Sequence, residues 1–303
     1  MSNSSSLFRG AYTAIVTPFT DDGSAVDFDR LEANIRDQAE GGVTGVVPCG
    51  TTGESPTLSG SEQRAVIERT IEIARPLGLR VIAGAGSNST AHAIEMQRFV
   101  KEAGADAALQ VNPYYNKPSQ EGLYRHFSAI ADSCELPIML YNIPGRTGVA
   151  LSIETIERLA KHPNIQSVKE ATGGLDMPSE ICARTNLALL SGDDPLTLPM
   201  ASIGGRGVVS VVSNIVPDRV AKLCEAFLDN NWTTARKLHE ALLPLAKGLL
   251  SLDTNPVPLK AAMQQLGRDT GTLRLPLCPP SEAVKKRIAE ILQSQGLRSL
   301  AGV

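Results

Sequence analysis

Short apolar runs alternate with amphipathic stretches along most of the chain. The runs at 12–17, 45–48, 80–85, 107–111, 138–142, 165–169, 187–191 and 207–212 are strand-length. Between them, apolar residues return at helical spacing over 28–40, 60–75, 90–103, 120–133, 153–160, 177–183 and 196–203. Ser59 and Glu62 form a capping-box pair, in which each side chain satisfies a free backbone donor at the other. Ser89, Ser119 and Ser152 stand where N-cap oxygens belong.

Strands each followed by a helix, eight times over, predict an α/β fold: a closed (β/α)8 TIM barrel. No G-x-G-x-x-G follows the first strand, so an open dinucleotide-binding sheet lacks its phosphate loop. After Val212 only helical patterns remain, at 217–228, 233–250, 258–266 and 281–293. That is more helix than an eighth barrel unit needs. The expected division is a barrel catalytic domain over 1–225 and a C-terminal helical extension over 226–303.

Composition narrows the partners. With 303 residues, 42% hydrophobic and 20% charged, the chain suits a soluble globular protein with a sizeable core. A net charge of -3 offers no basic patch for nucleic acid or an anionic membrane. The five cysteines are scattered without a C-x-x-C pair and read as free thiols in a reducing compartment. The four histidines are equally dispersed, so neither a zinc site nor any cofactor is expected. Residues 1–6 read as a polar tail without the apolar core of a signal peptide. No apolar run approaches the ~20 residues of a membrane span. The cytoplasm is the expected location.

Barrel enzymes carry their chemistry at the C-terminal strand ends. Here those ends hold Gly50-Thr51-Thr52-Gly53-Glu54-Ser55, Asn112-Pro113-Tyr114-Tyr115-Asn116, Tyr141-Asn142-Ile143-Pro144-Gly145-Arg146, Lys169, Ser191-Gly192-Asp193-Asp194 and Gly207-Val208-Val209-Ser210. Lys169 closes an apolar strand just before a glycine turn. A free lysine titrates near ~10.4, so about one in 2,500 is neutral at pH 7. Desolvation favours the neutral amine, and lowering the pKa by about three units, at roughly 4 kcal/mol, yields a carbonyl nucleophile. A lysine that snorkels to the strand-end surface is the plainer alternative for the residue taken alone. Glu170 falls on the opposite strand face and is assigned a structural role. Asp193 and Asp194 are read as caps of the next helix.

Taken together, the GTTGES (50–55), VNPYYNKPSQEGLY (111–124), YNIPGRTG (141–148) and KEATG (169–173) segments are highly specific. From about Phe8 through the stretch Asn255-Pro256-Val257-Pro258 the chain resembles the dihydrodipicolinate synthase (4-hydroxy-tetrahydrodipicolinate synthase) family. That family lies within the N-acetylneuraminate lyase superfamily of pyruvate-dependent class I aldolases. The resemblance implies a lyase of diaminopimelate and lysine biosynthesis, with pyruvate and L-aspartate 4-semialdehyde as substrates. It implies Lys169 as the Schiff-base lysine and Tyr141, Thr51 and Tyr115 as a proton relay, with Tyr115 reaching into a neighbouring subunit's site. Thr52 and the amides around it would hold the pyruvate carboxylate, with Gly50 and Gly53 allowing close backbone approach. Arg146 would take the carboxylate of the aldehyde. Gly192 and Val209, the latter through its carbonyl, would line the pocket. A homotetramer built as a dimer of dimers is implied as well.

The pattern departs from lysine-inhibited members of the family. Ser55, Asn88 and Tyr114 match their inhibitor pocket; Gly60 and His92 do not, and His92 stands where sensitive enzymes carry glutamate. Weak or absent lysine inhibition is expected. Two rival functions are an aldolase acting on N-acetylneuraminate or 2-keto-3-deoxy sugar acids, and a non-catalytic keto-acid-binding barrel. An assay on aspartate semialdehyde against sugar acids separates the first. The complete lysine–tyrosine–threonine set speaks against the second.

Overall fold

The structure, a computed structural model, describes residues 7–297; the polar tail at 1–6 lies outside them. Eight strands close in sequence order into a barrel. They are β1 (Gly10–Ala14), β2 (Gly45–Val47), β3 (Arg80–Gly84), β4 (Ala107–Val111), β5 (Ile138–Asn142), β6 (Ile165–Glu170), β7 (Ala188–Ser191) and β8 (Gly207–Ser210). Every pair is parallel, and closure sets Tyr12 of β1 beside Val209 of β8.

The helices between strands follow the expected stretches closely: α1 (Phe28–Glu40), α2 (Gly60–Ala74), α3 (Thr90–Ala103), α4 (Gln120–Asp132), α5 (Pro144–Thr147), α6 (Ile153–Leu159), α7 (Asp176–Arg184) and α8 (Thr197–Ala201). Ser59 and Glu62 make both bonds of the capping box. Ser89, Ser119 and Ser152 each accept the backbone N–H three residues on. The four-residue α5 within the YNIPGRTG segment was not anticipated; Pro144 at its first position presets the helical φ.

Two strands end two or more residues earlier than the apolar pattern suggests. β1 stops at Ala14 although Ile15, Val16 and Thr17 stay buried. Val16 N–H leaves the ladder and donates to Asn214 Oδ1 at 3.2 Å. β8 stops at Ser210, because the Asp194 carboxylate takes Val211 N–H at 2.8 Å and Val212 N–H at 3.2 Å. In both places a distant side chain satisfies the backbone that a longer strand would have paired.

Side chains alternate across the sheet. Tyr12, Val47, Ile82, Leu109, Met139, Tyr141, Leu190 and Val209 fill the barrel interior in one cluster. Beyond β8 come α9 (Pro217–Leu228), α10 (Trp232–Leu250), α11 (Val257–Gln265) and α12 (Glu282–Ser294). Leu245, Leu249, Leu259, Met263, Ile288 and Leu292 from these helices share one apolar cluster with Ile15, Val16, Phe19 and Val46 of the barrel. Among the described residues no helix is long and apolar enough to cross a membrane.

Candidate active site

The ladder between β5 and β6 sets Tyr141 directly opposite Lys169, so both side chains point into the barrel near its C-terminal end. Lys169 Nζ lies 4.0 Å from the centre of the Tyr141 ring. Burial draws the amine down from its ordinary 10.5 to about 7. The Asp194 carboxylate opposes that shift and the Arg146 guanidinium adds to it. Close to half of such amines are neutral at pH 7, against the tiny fraction of an exposed lysine. The desolvation read from the apolar strand is therefore present, and the lysine does not snorkel outward.

The phenol of Tyr141 is pushed up to about 12, by burial first and more weakly by the Asp193 charge. Arg146 and a hydrogen bond with the Thr51 side chain pull the other way. Tyr141 is thus a protonated acid at neutral pH, coupled to a hydroxyl that can pass a proton on.

Thr51 and Thr52 ride on the turn after β2. Glu54 N–H donates to Thr51 O at 3.1 Å, and Ser55 N–H to Gly50 O at 3.3 Å. A Cβ at Gly53 would come within 3.1 Å of Cys49 N and Ile15 O, so the turn lies hard against the end of β1. At Gly50 a Cβ would meet open space, and the close approach expected there is not required within the chain. Thr52 Oγ1 accepts a hydrogen bond from Asn255 Nδ2 at 2.9 Å. With that lone pair engaged, the Thr52 proton is free to point elsewhere.

Arg146 stands on α5 and donates through Nη2 to Asn255 O at 3.1 Å. It lines, with Thr51, Gly86, Val111 and Ile143, a cavity of about 530 Å³ open at the strand ends, a volume suited to small molecules. Gly192 passes beside the lysine stem: a Cβ there would lie 3.1 Å from Lys169 Cε and 3.0 Å from Ala171 Cβ. Val209 is fully buried in the interior cluster that contains Tyr141.

Tyr115 is the one expected site residue that a single chain does not bring to the others. Its side chain is 91% exposed, on a backbone at φ 74. Its neighbour Tyr114 lines the cavity.

Glu170 behaves as a structural residue. Its buried carboxylate accepts Asn142 Nδ2 at 3.1 Å and Thr172 N–H at 2.7 Å, fixing the turn after Lys169. The capping role expected of the aspartates is corrected. Neither Asp193 nor Asp194 gives a side-chain cap to the 3-10 turn at Asp194–Leu196. Asp194 instead reaches across to the end of β8, where it accepts from Ser210 Oγ, Val211 N–H and Val212 N–H. Its charge, and the part played by Asn255, were missed; the only sequence signal was a carboxylate pair directly after a strand.

A buried amine of lowered pKa, facing a protonated phenol inside a parallel barrel, defines a Schiff-base lyase of the class I aldolase type. The model of the dihydrodipicolinate synthetase family matches residues 7–295. The 4-hydroxy-tetrahydrodipicolinate synthase of Methanocaldococcus jannaschii is 48% identical over 292 residues, covering 96% of this chain and 100% of that one. The crystal structure of dihydrodipicolinate synthase from Aquifex aeolicus superimposes with a TM-score of 0.94 at 42% identity, over 97% of this chain and 100% of that one. A dihydrodipicolinate synthase variant described as monomeric gives a TM-score of 0.92 at 40% identity, over 96% of this chain and 98% of that one. The chain belongs to the dihydrodipicolinate synthetase family.

Proposed function

We propose that the protein catalyses the 4-hydroxy-tetrahydrodipicolinate synthase reaction, condensing pyruvate with L-aspartate 4-semialdehyde. The observation that carries this reading is the Lys169 amine, drawn down to about 7 and held 4.0 Å from the Tyr141 ring.

The neutral amine attacks the keto carbon of pyruvate, and the carbinolamine loses water to give an iminium. The iminium accepts the electron pair when the pyruvate methyl loses a proton, forming an enamine. Its terminal carbon bonds to the aldehyde carbon, and the resulting alkoxide takes a proton from Tyr141. Thr51 and Tyr115 resupply that proton. The substrate's own amine then adds to the iminium carbon and displaces Lys169, closing the ring and freeing the enzyme.

In this reading Thr52 and the amides of its turn hold the pyruvate carboxylate, Arg146 binds the carboxylate of the aldehyde, and Gly192 and Val209 line the keto-acid pocket. The exposure of Tyr115 on one chain supports its acting across a subunit contact, in a homotetramer made of two dimers. The setting is the cytoplasm.

Borohydride reduction in the presence of pyruvate tests the first step. One reduced pyruvate is expected per chain by mass, and none in Lys169→Ala. An adduct that survives that substitution overturns the assignment. Turnover of aspartate semialdehyde, compared with sugar acids, tests the second substrate.

A further inference from the structure

We propose that Lys260 and Glu54, a buried ion pair between the C-terminal helices and the barrel, are positioning residues for the turn that carries Thr51 and Thr52. The inference rests on the roles given to those threonines above.

Both side chains are fully enclosed, Lys260 at 0% exposure and Glu54 at 1%. Lys260 Nζ, on α11, donates to Glu54 Oε1 at 2.8 Å and to Thr17 O at 3.0 Å, and sits 4.3 Å from the centre of the Phe19 ring. The second carboxylate oxygen of Glu54 accepts the Arg274 backbone N–H at 3.1 Å. Taking two charges out of water is costly, and well-packed apolar residues in place of such a pair are often as stable or more so. Stability alone is a poor account of its presence.

Its position gives a better one. Glu54 closes the GTTGES turn in the left-handed region, at φ 51 and ψ 36. A non-glycine residue stays there only where its surroundings over-determine it. The Glu54 N–H holds Thr51 O, so whatever fixes Glu54 also fixes the Thr51 backbone. Thr17, whose carbonyl is bound by Lys260, donates through its hydroxyl to Gly53 O at 2.8 Å. A single ammonium therefore braces the turn from the carboxylate side and from the β1 side. Five residues before Lys260, Asn255 holds the Thr52 hydroxyl. The 255–260 segment thus reaches the turn of both threonines.

The test uses the full chain with both charges removed together, Glu54→Gln with Lys260→Met, so that neither member of the pair is left charged without the other. Kinetics are read well below the thermal midpoint. The expected variant is folded and still traps pyruvate on Lys169 at saturation, but its KM for pyruvate rises, and its kcat falls, by about tenfold or more each. A lower midpoint with KM and kcat within about twofold of the parent overturns the proposal. Should that variant not fold, Glu54→Asp keeps the charge while shortening the brace, and the same two outcomes decide. Amide hydrogen exchange over 51–55 supplies a readout free of catalysis. Faster exchange in the variant is expected, and unchanged exchange counts against the brace. If the parent itself traps no pyruvate, the functional reading falls, while the exchange result still judges the brace.

Discussion

Lys169 and Tyr141 are register partners on adjacent strands, and the amine nitrogen stands 4.0 Å over the face of the phenol ring. The ring supplies apolar surface that strips water from the amine, and its weakly negative face partly compensates the charged form. The balance leaves the lysine near pH 7.

Two measurements follow from that balance. The rate of pyruvate adduct formation should climb about tenfold per pH unit below 7 and level off above it. A rate still climbing tenfold between pH 8 and 9 contradicts the lowered pKa. Stability should show the same group. Because folding lowers this pKa from 10.5 to about 7, the unfolded chain alone holds the proton between those values, and stability rises with pH across that window. Below pH 7 both states hold it, and the folded state bears the full penalty. Lys169→Met should therefore be inactive yet more stable at neutral pH, by on the order of 2–4 kcal/mol in denaturant titration.

Gly192→Ala places a methyl 3.1 Å from Lys169 Cε and 3.2 Å from the Glu170 carbonyl oxygen. Overpacking of this kind costs about 1–3 kcal/mol. Since the Lys169 stem is the part able to yield, borohydride trapping should slow by at least about tenfold. Trapping at the parental rate would show that the stem does not need this space.

Tyr115→Phe removes a hydroxyl that is exposed on one chain and leaves the ring in place. The pyruvate adduct should form normally while turnover with aspartate semialdehyde falls by about a hundredfold, the usual scale of a lost proton carrier. Full turnover in this variant removes Tyr115 from the relay.

Lysine should not inhibit at sub-millimolar concentration. Ser55, Gly60, His92 and Tyr114 line one cavity, and His92 supplies no fixed negative charge there. Glu95, one turn further along α3, is held by Arg64 and by His92 at 3.4 Å. An incoming ammonium thus lacks a charge-assisted bond worth roughly 1.5–3 kcal/mol. Half-inhibition below 1 mM in a steady-state assay would overturn this.

The barrel was legible because its signals are local. Apolar runs of strand length, helical spacing between them, and the Ser59, Ser89, Ser119 and Ser152 caps each lie within a few residues of what they specify. The lysine was legible for the same reason, since its own strand supplies much of its apolar setting. What escaped depends on partners far apart in sequence. The end of β1 is set by Asn214, and the end of β8 by Asp194. The Thr52 hydroxyl is oriented from Asn255, and the turn beneath it is braced from Lys260. No periodicity encodes such pairings. The two aspartates misled because a carboxylate after a strand resembles a cap until the fold shows which amides it meets.

The Asn255 and Lys260 contacts also carry a consequence for how the chain matures. All eight strands are translated by Ser210, yet the turn bearing the threonines takes part of its bracing, the Asn255, Lys260 and Arg274 contacts, from residues 255–274. A nascent chain halted on the ribosome short of that segment has every strand of its cylinder and still lacks those contacts. Until residues 255–274 have emerged, the Thr52 hydroxyl and the Glu54 carboxylate lack the partners that hold them, so competence waits on a segment that contributes no strand to the cylinder.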